Sequence, residues 1–171
     1  SPPVAGSIDL SNITVQELDF NQGANKNLYQ QTKGLKADWD VAGKRYVINI
    51  NPGGMAIGKL HLLTLRVGQS NDAKNLIDKL QNFTLTISDG SHSYSVKAAN
   101  IAPLLYPADI NFPSGVRRSV MQTLRIPLCL FAEQGVDVRN IRQIIFLFDE
   151  PIMGTTTYRG SLYFDEIQLS H

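Results

Sequence analysis

Phe83-Thr84-Leu85-Thr86-Ile87-Ser88-Asp89-Gly90-Ser91-His92-Ser93-Tyr94-Ser95-Val96-Lys97 holds the cleanest alternation in the chain. Phe83, Leu85 and Ile87 fall on one parity and Thr84, Thr86 and Ser88 on the other. A period of two with one apolar face is the signature of a half-buried β-strand. Asp89-Gly90-Ser91 supplies the turn, and 93–97 returns, so the stretch predicts a β-hairpin.

The same grammar extends in both directions. Leu35-Lys36-Ala37-Asp38-Trp39-Asp40 puts Leu35, Ala37 and Trp39 on one side, which makes Trp39 a core residue. After Val41-Ala42-Gly43-Lys44, Arg45-Tyr46-Val47-Ile48-Asn49-Ile50 aligns Tyr46, Ile48 and Ile50, and the two segments read as a second hairpin. Asn51-Pro52-Gly53-Gly54 ends it, because proline lacks a ladder donor. Residues 60–69 predict a strand with Leu63, Leu65 and Val67 inward, and 70–81 a loop with a short helical turn. The 98–115 stretch, with three prolines, reads as loop. Residues 119–130 predict a long strand with Val120, Leu124, Ile126 and Leu128 on one face, interrupted by Gln122. Residues 143–148 are nearly all apolar, as in a central strand, and 161–169 close the chain. Eight or nine strands without a three-turn helix predict an all-β jelly-roll sandwich of two antiparallel sheets over 8–171. Residues 1–7 read as a linker or processed terminus, and hence as the edge of a domain cut from a longer chain.

Composition narrows the partners. The 171 residues suit one domain, and 43% hydrophobic content fills one core. Sixteen basic against fifteen acidic residues leave no surplus to neutralise nucleic-acid phosphates or an anionic membrane, and no apolar run is long enough to span a bilayer. Cys129, the single cysteine, lies in Ile126-Pro127-Leu128-Cys129-Leu130-Phe131 and reads as a buried, inert thiol. Asn12-Ile13-Thr14 and Asn82-Phe83-Thr84 match the glycosylation sequon. The last strand carries an anomaly: Tyr163, Asp165, Ile167 and Leu169 share one parity, so an unbroken strand would turn Asp165 inward. Three readings stand, namely a calcium ligand, a hydrogen-bonding role at the core edge, and a bulge that returns the carboxylate to water.

The C-terminal series is Leu124-Arg125-Ile126-Pro127-Leu128, Gly135-Val136-Asp137-Val138-Arg139-Asn140-Ile141, Ile144-Ile145-Phe146-Leu147-Phe148-Asp149 and Gly160-Ser161-Leu162-Tyr163-Phe164-Asp165-Glu166-Ile167. It resembles the closing half of galactose-binding-like jelly-roll domains, the superfamily of many carbohydrate-binding modules and accessory domains of secreted bacterial hydrolases. The resemblance implies a secreted or cell-surface accessory module, no required cofactor, and a structural calcium in some relatives. Carried onto this chain, such an ion would take Asp165 with Asp9, Glu17 or Asp19.

Catalytic signatures are weak. No Gly-x-Ser-x-Gly or His-Glu-x-x-His occurs, and His61, His92 and His171 read as ordinary exposed histidines. Asp38, Asp40, Asp149, Glu150 and Glu166 are the carboxylates available for a glycosidase pair, and they read as surface groups. Tyr94-Ser95-Val96-Lys97 approaches a polysaccharide-lyase signature but lacks its Gln-x-His companion.

Two ligand sites suggest themselves. The outward parity gives Leu62, Thr64 and Arg66, then Met121, Thr123 and Arg125, then Gln143, Ile145 and Leu147, a shallow groove in which Arg66 and Arg125 would hold sugar hydroxyls or carboxylates. The alternative is a loop site built on Tyr29, Tyr94, Tyr106 and Tyr158, whose rings would stack on sugar faces. The expected function is non-catalytic polysaccharide binding that holds a neighbouring catalytic domain near its substrate. The rival is a structural domain that steadies that neighbour and takes no glycan.

Overall fold

The computed structural model describes residues 8–9, 14–19, 33–50, 61–109 and 117–170, with only the backbone course given for 8–9, 14–19 and 33–34. Twelve strand segments occur among them: β1 (Ile8–Asp9), β2 (Thr14–Asp19), β3 (Lys33–Trp39), β4 (Lys44–Asn49), β5 (Leu62–Gln69), β6 (Thr84–Ser88), β7 (Ser93–Lys97), β8 (Ala108–Asp109), β9 (Arg117–Arg118), β10 (Gln122–Pro127), β11 (Gln143–Phe148) and β12 (Gly160–Ser170). One α-helix, α1 (Cys129–Ala132), follows β10, and a single 3-10 turn, Ala98–Asn100, follows β7. A first sheet runs β1-β4-β11-β6-β7 and a second runs β10-β5-β12-β3-β2, all antiparallel. This is the jelly-roll sandwich, with β11 central as its continuous apolar run required.

The inward parities fill the space between the sheets. Leu63, Leu65 and Val67 of β5 and Phe83, Leu85 and Ile87 before and along β6 are fully buried, beside Phe146 and Phe148 of β11. Aromatic rings join the layers: Trp39 stacks on Phe148 at 4.4 Å, and Phe164 meets Phe146 edge-on at 5.2 Å. Such pairs add to the area they bury because ring edge and ring face carry opposite partial charge. Tyr46 lies in the same layer, and burial pushes its phenol up to about 12.

The hairpin at 83–97 forms as expected, with Thr86 opposite Ser95. The segments 35–40 and 45–50 do not form one. β3 pairs with β2 and β12, whereas β4 pairs with β1 and β11, so residues 40–43 carry the chain from one sheet to the other. The long strand expected over 119–130 also ends early, at Pro127. Leu128 takes helical φ and ψ and opens α1, which places Phe131 in the core and leaves Cys129 exposed rather than buried. Residues 70–81 make turns and no helix. The two strands before residue 20 were not expected.

β12 resolves the Asp165 anomaly. Leu162 and Phe164 face the core, the register against β5 slips between Asp165 and Gln168, and Glu166 takes a φ of +47°. Ile167 and Leu169 then pack on the core with the opposite parity. The strand therefore contains a bulge, and Tyr163 and Asp165 sit on the outer face.

Candidate functional site on the outer face of the second sheet

The outer face of β10, β5, β12 and β3 is set by register. Arg66 lies opposite Thr123 of β10 on one side and Asp165 of β12 on the other. Thr64 lies between Arg125 and Gln168, and Gly68 is opposite Tyr163, which in turn faces Lys36 of β3. Arg66 and Arg125 are thus diagonal neighbours on adjacent strands, with roughly 7–8 Å between such positions. Gln143, Ile145 and Leu147 do not join them. They belong to β11 in the first sheet, so the groove expected from parity divides between the two opposite faces of the sandwich.

Gly68 marks one end of this face. A Cβ there would come within 2.6 Å of the Val120 carbonyl oxygen and 3.1 Å of Met121 Sδ, so the chain entering β10 crosses directly over it. Beyond Tyr163, Lys36 donates to Asp72 at 2.9 Å and pairs with Asp38 at 3.3 Å. Burial lowers the affinity of Lys36 for its proton, but the two carboxylates together outweigh it, and its pKa is raised. Asp72 is held below its usual range by the Lys74 backbone N–H and then by Lys36.

The loops at this end of the sandwich are fastened by buried polar side chains. Asn75 donates to the carbonyls of Ser70 and Ser161 and accepts from Gln81 and the Ser161 N–H. Gln69 donates to the carbonyls of Lys79 and Leu104. Gln122, the polar interruption in β10, accepts from the Leu105 N–H and donates to the Pro103 carbonyl, which ties 98–109 to the second sheet. Asn82 is buried and its side-chain oxygen takes the Ala99 N–H, so that sequon is enclosed in the fold.

The tyrosines named from sequence do not converge on the arginines. Tyr94 lies on β7, the edge of the first sheet, with its ring edge-on to Phe131 at 6.2 Å. Tyr106 lies under the Arg117 guanidinium at 5.2 Å, and Tyr158 is exposed on the loop before β12. Tyr29 lies outside the described residues. Tyr163 was missed, because an unbroken β12 assigns it to the core. The signal was available: Leu162/Phe164 and Ile167/Leu169 are two apolar pairs out of phase.

The carboxylates are dispersed. Asp40 pairs with Lys74, Glu150 with Lys97, and Asp149 accepts from Thr84. Tyr94 and Lys97 have opposite parity on β7, so they address different faces. His61 and His92 are exposed. Asp165 accepts its neighbour's N–H, that of Glu166, at 2.8 Å and faces Arg66 across the register. Asp9 is placed in the first sheet opposite Val47, while Glu17 and Asp19 lie on β2 at the edge of the second. The side chains of Asp9, Glu17 and Asp19 lie outside the described residues. Among the described residues no three His, Cys, Asp or Glu side chains gather as a metal site, and no helix is long and apolar enough to cross a membrane.

Solved structures with the same arrangement include the family 30 carbohydrate-binding module of the cellulosomal cellulase Cel9D-Cel44B of Clostridium thermocellum. It matches with a TM-score of 0.54 at 11% identity over 96% of this chain and 90% of that one. The chain has the fold of a carbohydrate-binding-module jelly roll. The family 11 module of Clostridium thermocellum, solved with a β-1,3-1,4-mixed-linked tetrasaccharide, matches at a TM-score of 0.50 and 12% identity over 97% of this chain and 87% of that one. An exo-β-agarase matches at a TM-score of 0.55 and 12% identity over all of this jelly roll but only 24% of the agarase chain. No family model and no curated protein matches the sequence.

Proposed function

We infer that the chain is a non-catalytic polysaccharide-binding module of a secreted multidomain protein, and that it takes its glycan on the outer face of the second sheet. The observation that carries this is the juxtaposition of Arg66, Thr64, Thr123 and Arg125 beside Tyr163 on one face of a carbohydrate-binding-module jelly roll. Guanidinium and hydroxyl groups direct hydrogen bonds to sugar oxygens, and an aromatic ring accepts the apolar face of a pyranose. Binding without turnover acts by raising local concentration for a tethered catalytic domain.

A glycan array probed with the purified chain, with calcium and again with chelator, tests this. Binding to one polysaccharide class supports the module, and loss with chelator would assign it a calcium ion. A blank array with folded protein favours a structural contact domain. That second reading has its own support: Val41, Ile77, Leu105, Val120, Met153 and Tyr158 are exposed on connections at one end of the sandwich, where a neighbouring domain would dock.

A further inference from the structure

We propose that the glycan is acidic, and that Arg66 and Arg125 together hold a sugar carboxylate of a uronic-acid polysaccharide. The proposal rests on the glycan reading of this face and deepens it.

The charges on the second sheet's outer face sort into two groups. Lys36 is occupied by Asp38 and Asp72, at 3.3 Å and 2.9 Å, and in the adjoining loop Lys74 is occupied by Asp40 at 3.0 Å. Arg66 and Arg125 have no ion pair among the described residues, although both stand on interior registers of β5 and β10. They are diagonal neighbours, and the positions across from them are Thr123 and Thr64. The two-strand patch therefore holds two cations, two hydroxyls and no carboxylate. Asp165 approaches Arg66 only from the β12 side, and one of its oxygens is already taken by the Glu166 N–H.

Like charges at neighbouring positions of a sheet repel, and Asp165 across from Arg66 offsets only one of the two, so the pair keeps a net positive charge. A bound anion would balance it. The guanidinium presents a planar fork of N–H donors that matches the two coplanar oxygens of a carboxylate, and the sulfated arm of the test below separates this from a sulfate ester. The flanking threonine hydroxyls can donate to the same anion or to ring hydroxyls beside it. Tyr163 stands one register step away from Arg66 along β12, beyond Asp165, so a chain anchored at the arginines passes within reach of an aromatic ring. A neutral glucan would use the same hydroxyl and aromatic contacts but would leave the net positive charge of the patch uncompensated.

The test compares polygalacturonate, a sulfated galactan and a neutral mixed-linkage β-glucan by isothermal titration with the purified chain, each at low and high salt. Polygalacturonate is expected to bind, to weaken steeply with salt, and to lose about tenfold or more in affinity in both R66Q and R125Q, since each removes charge-assisted hydrogen bonds. Arg125 is exposed, so R125Q keeps the test valid if R66Q fails to fold. Lys97→Gln, on the other sheet and paired with Glu150, should leave the affinity unchanged. Neutral-glucan binding alone, unmoved by R125Q, overturns the acidic ligand while leaving the glycan reading intact. Binding only to the sulfated galactan overturns the carboxylate. No binding in any arm, by a chain with an unaltered melt, overturns both.

Discussion

Gly160 lies directly opposite Trp39 across the β3–β12 pair, and a Cβ added there would collide with the indole ring and with the Gln81 amide. The largest side chain of the core can stack on Phe148 only because its cross-strand neighbour has no side chain. Both obstacles are rigid, since Trp39 is buried among aromatics and Gln81 is fixed by hydrogen bonds to Asn75 and the Arg159 carbonyl. Gly160→Ala is therefore expected to destabilise the fold by about 1–3 kcal/mol, as overpacking does, read from chemical denaturation. A variant within about 0.5 kcal/mol of the parent would show that the indole has room to move.

Asn75 is the knot of the loop end, with both side-chain atoms used twice. Asn75→Ala should cost about 2–4 kcal/mol, because it strands buried partners on Ser70, Gln81 and Ser161. Protection of the 70–81 amides in hydrogen exchange should fall more than that of β6 and β11.

Asp89 links the β6–β7 turn to the loop after α1. Its carboxylate accepts the N–H groups of His92, Asp137 and Ser91, and these hold its pKa at about 2. A depressed folded-state pKa contributes stability that is complete above the unfolded value, about 3.9, and is lost as pH falls through the folded one. The stability difference between the parent and Asp89→Asn should accordingly be constant above about pH 4 and shrink toward pH 2. An invariant difference across that window would mean that the carboxylate is not the group being held.

Cys129 opens α1 at the surface, so a thiol reagent should label the native chain without denaturant. Cys129→Ser should leave the stability within about 0.5 kcal/mol, as surface substitutions do. Labelling only after unfolding would return the thiol to the core.

Core faces were legible wherever parity runs unbroken. Leu63, Leu65 and Val67, Phe83, Leu85 and Ile87, and Trp39 all lie inside as the alternation required. The site was half legible. Arg66 and Arg125 stand on one face as parity implied, but Tyr163 was hidden by a bulge whose only trace is a change of phase. Cys129 was misplaced because an apolar run looks alike as strand or helix, and Pro127 was the stop signal.

Alternation is a local property. Side chains at i and i+2 share a face whatever lies beyond them, so the sequence by itself determined the dry sides of the central described strands. Strand partnership is not local. Residues 40–43 serve equally as a hairpin turn or as a crossing between layers, and only the burial of β4 against β11 and of β3 against β12 decides between them. The tertiary structure therefore decided which outer faces coincide, bringing the arginines together and sending Ile145 to the far side. Closing a longer loop adds little entropy compared with packing a full apolar face, so the packed partner wins over the nearest one in sequence.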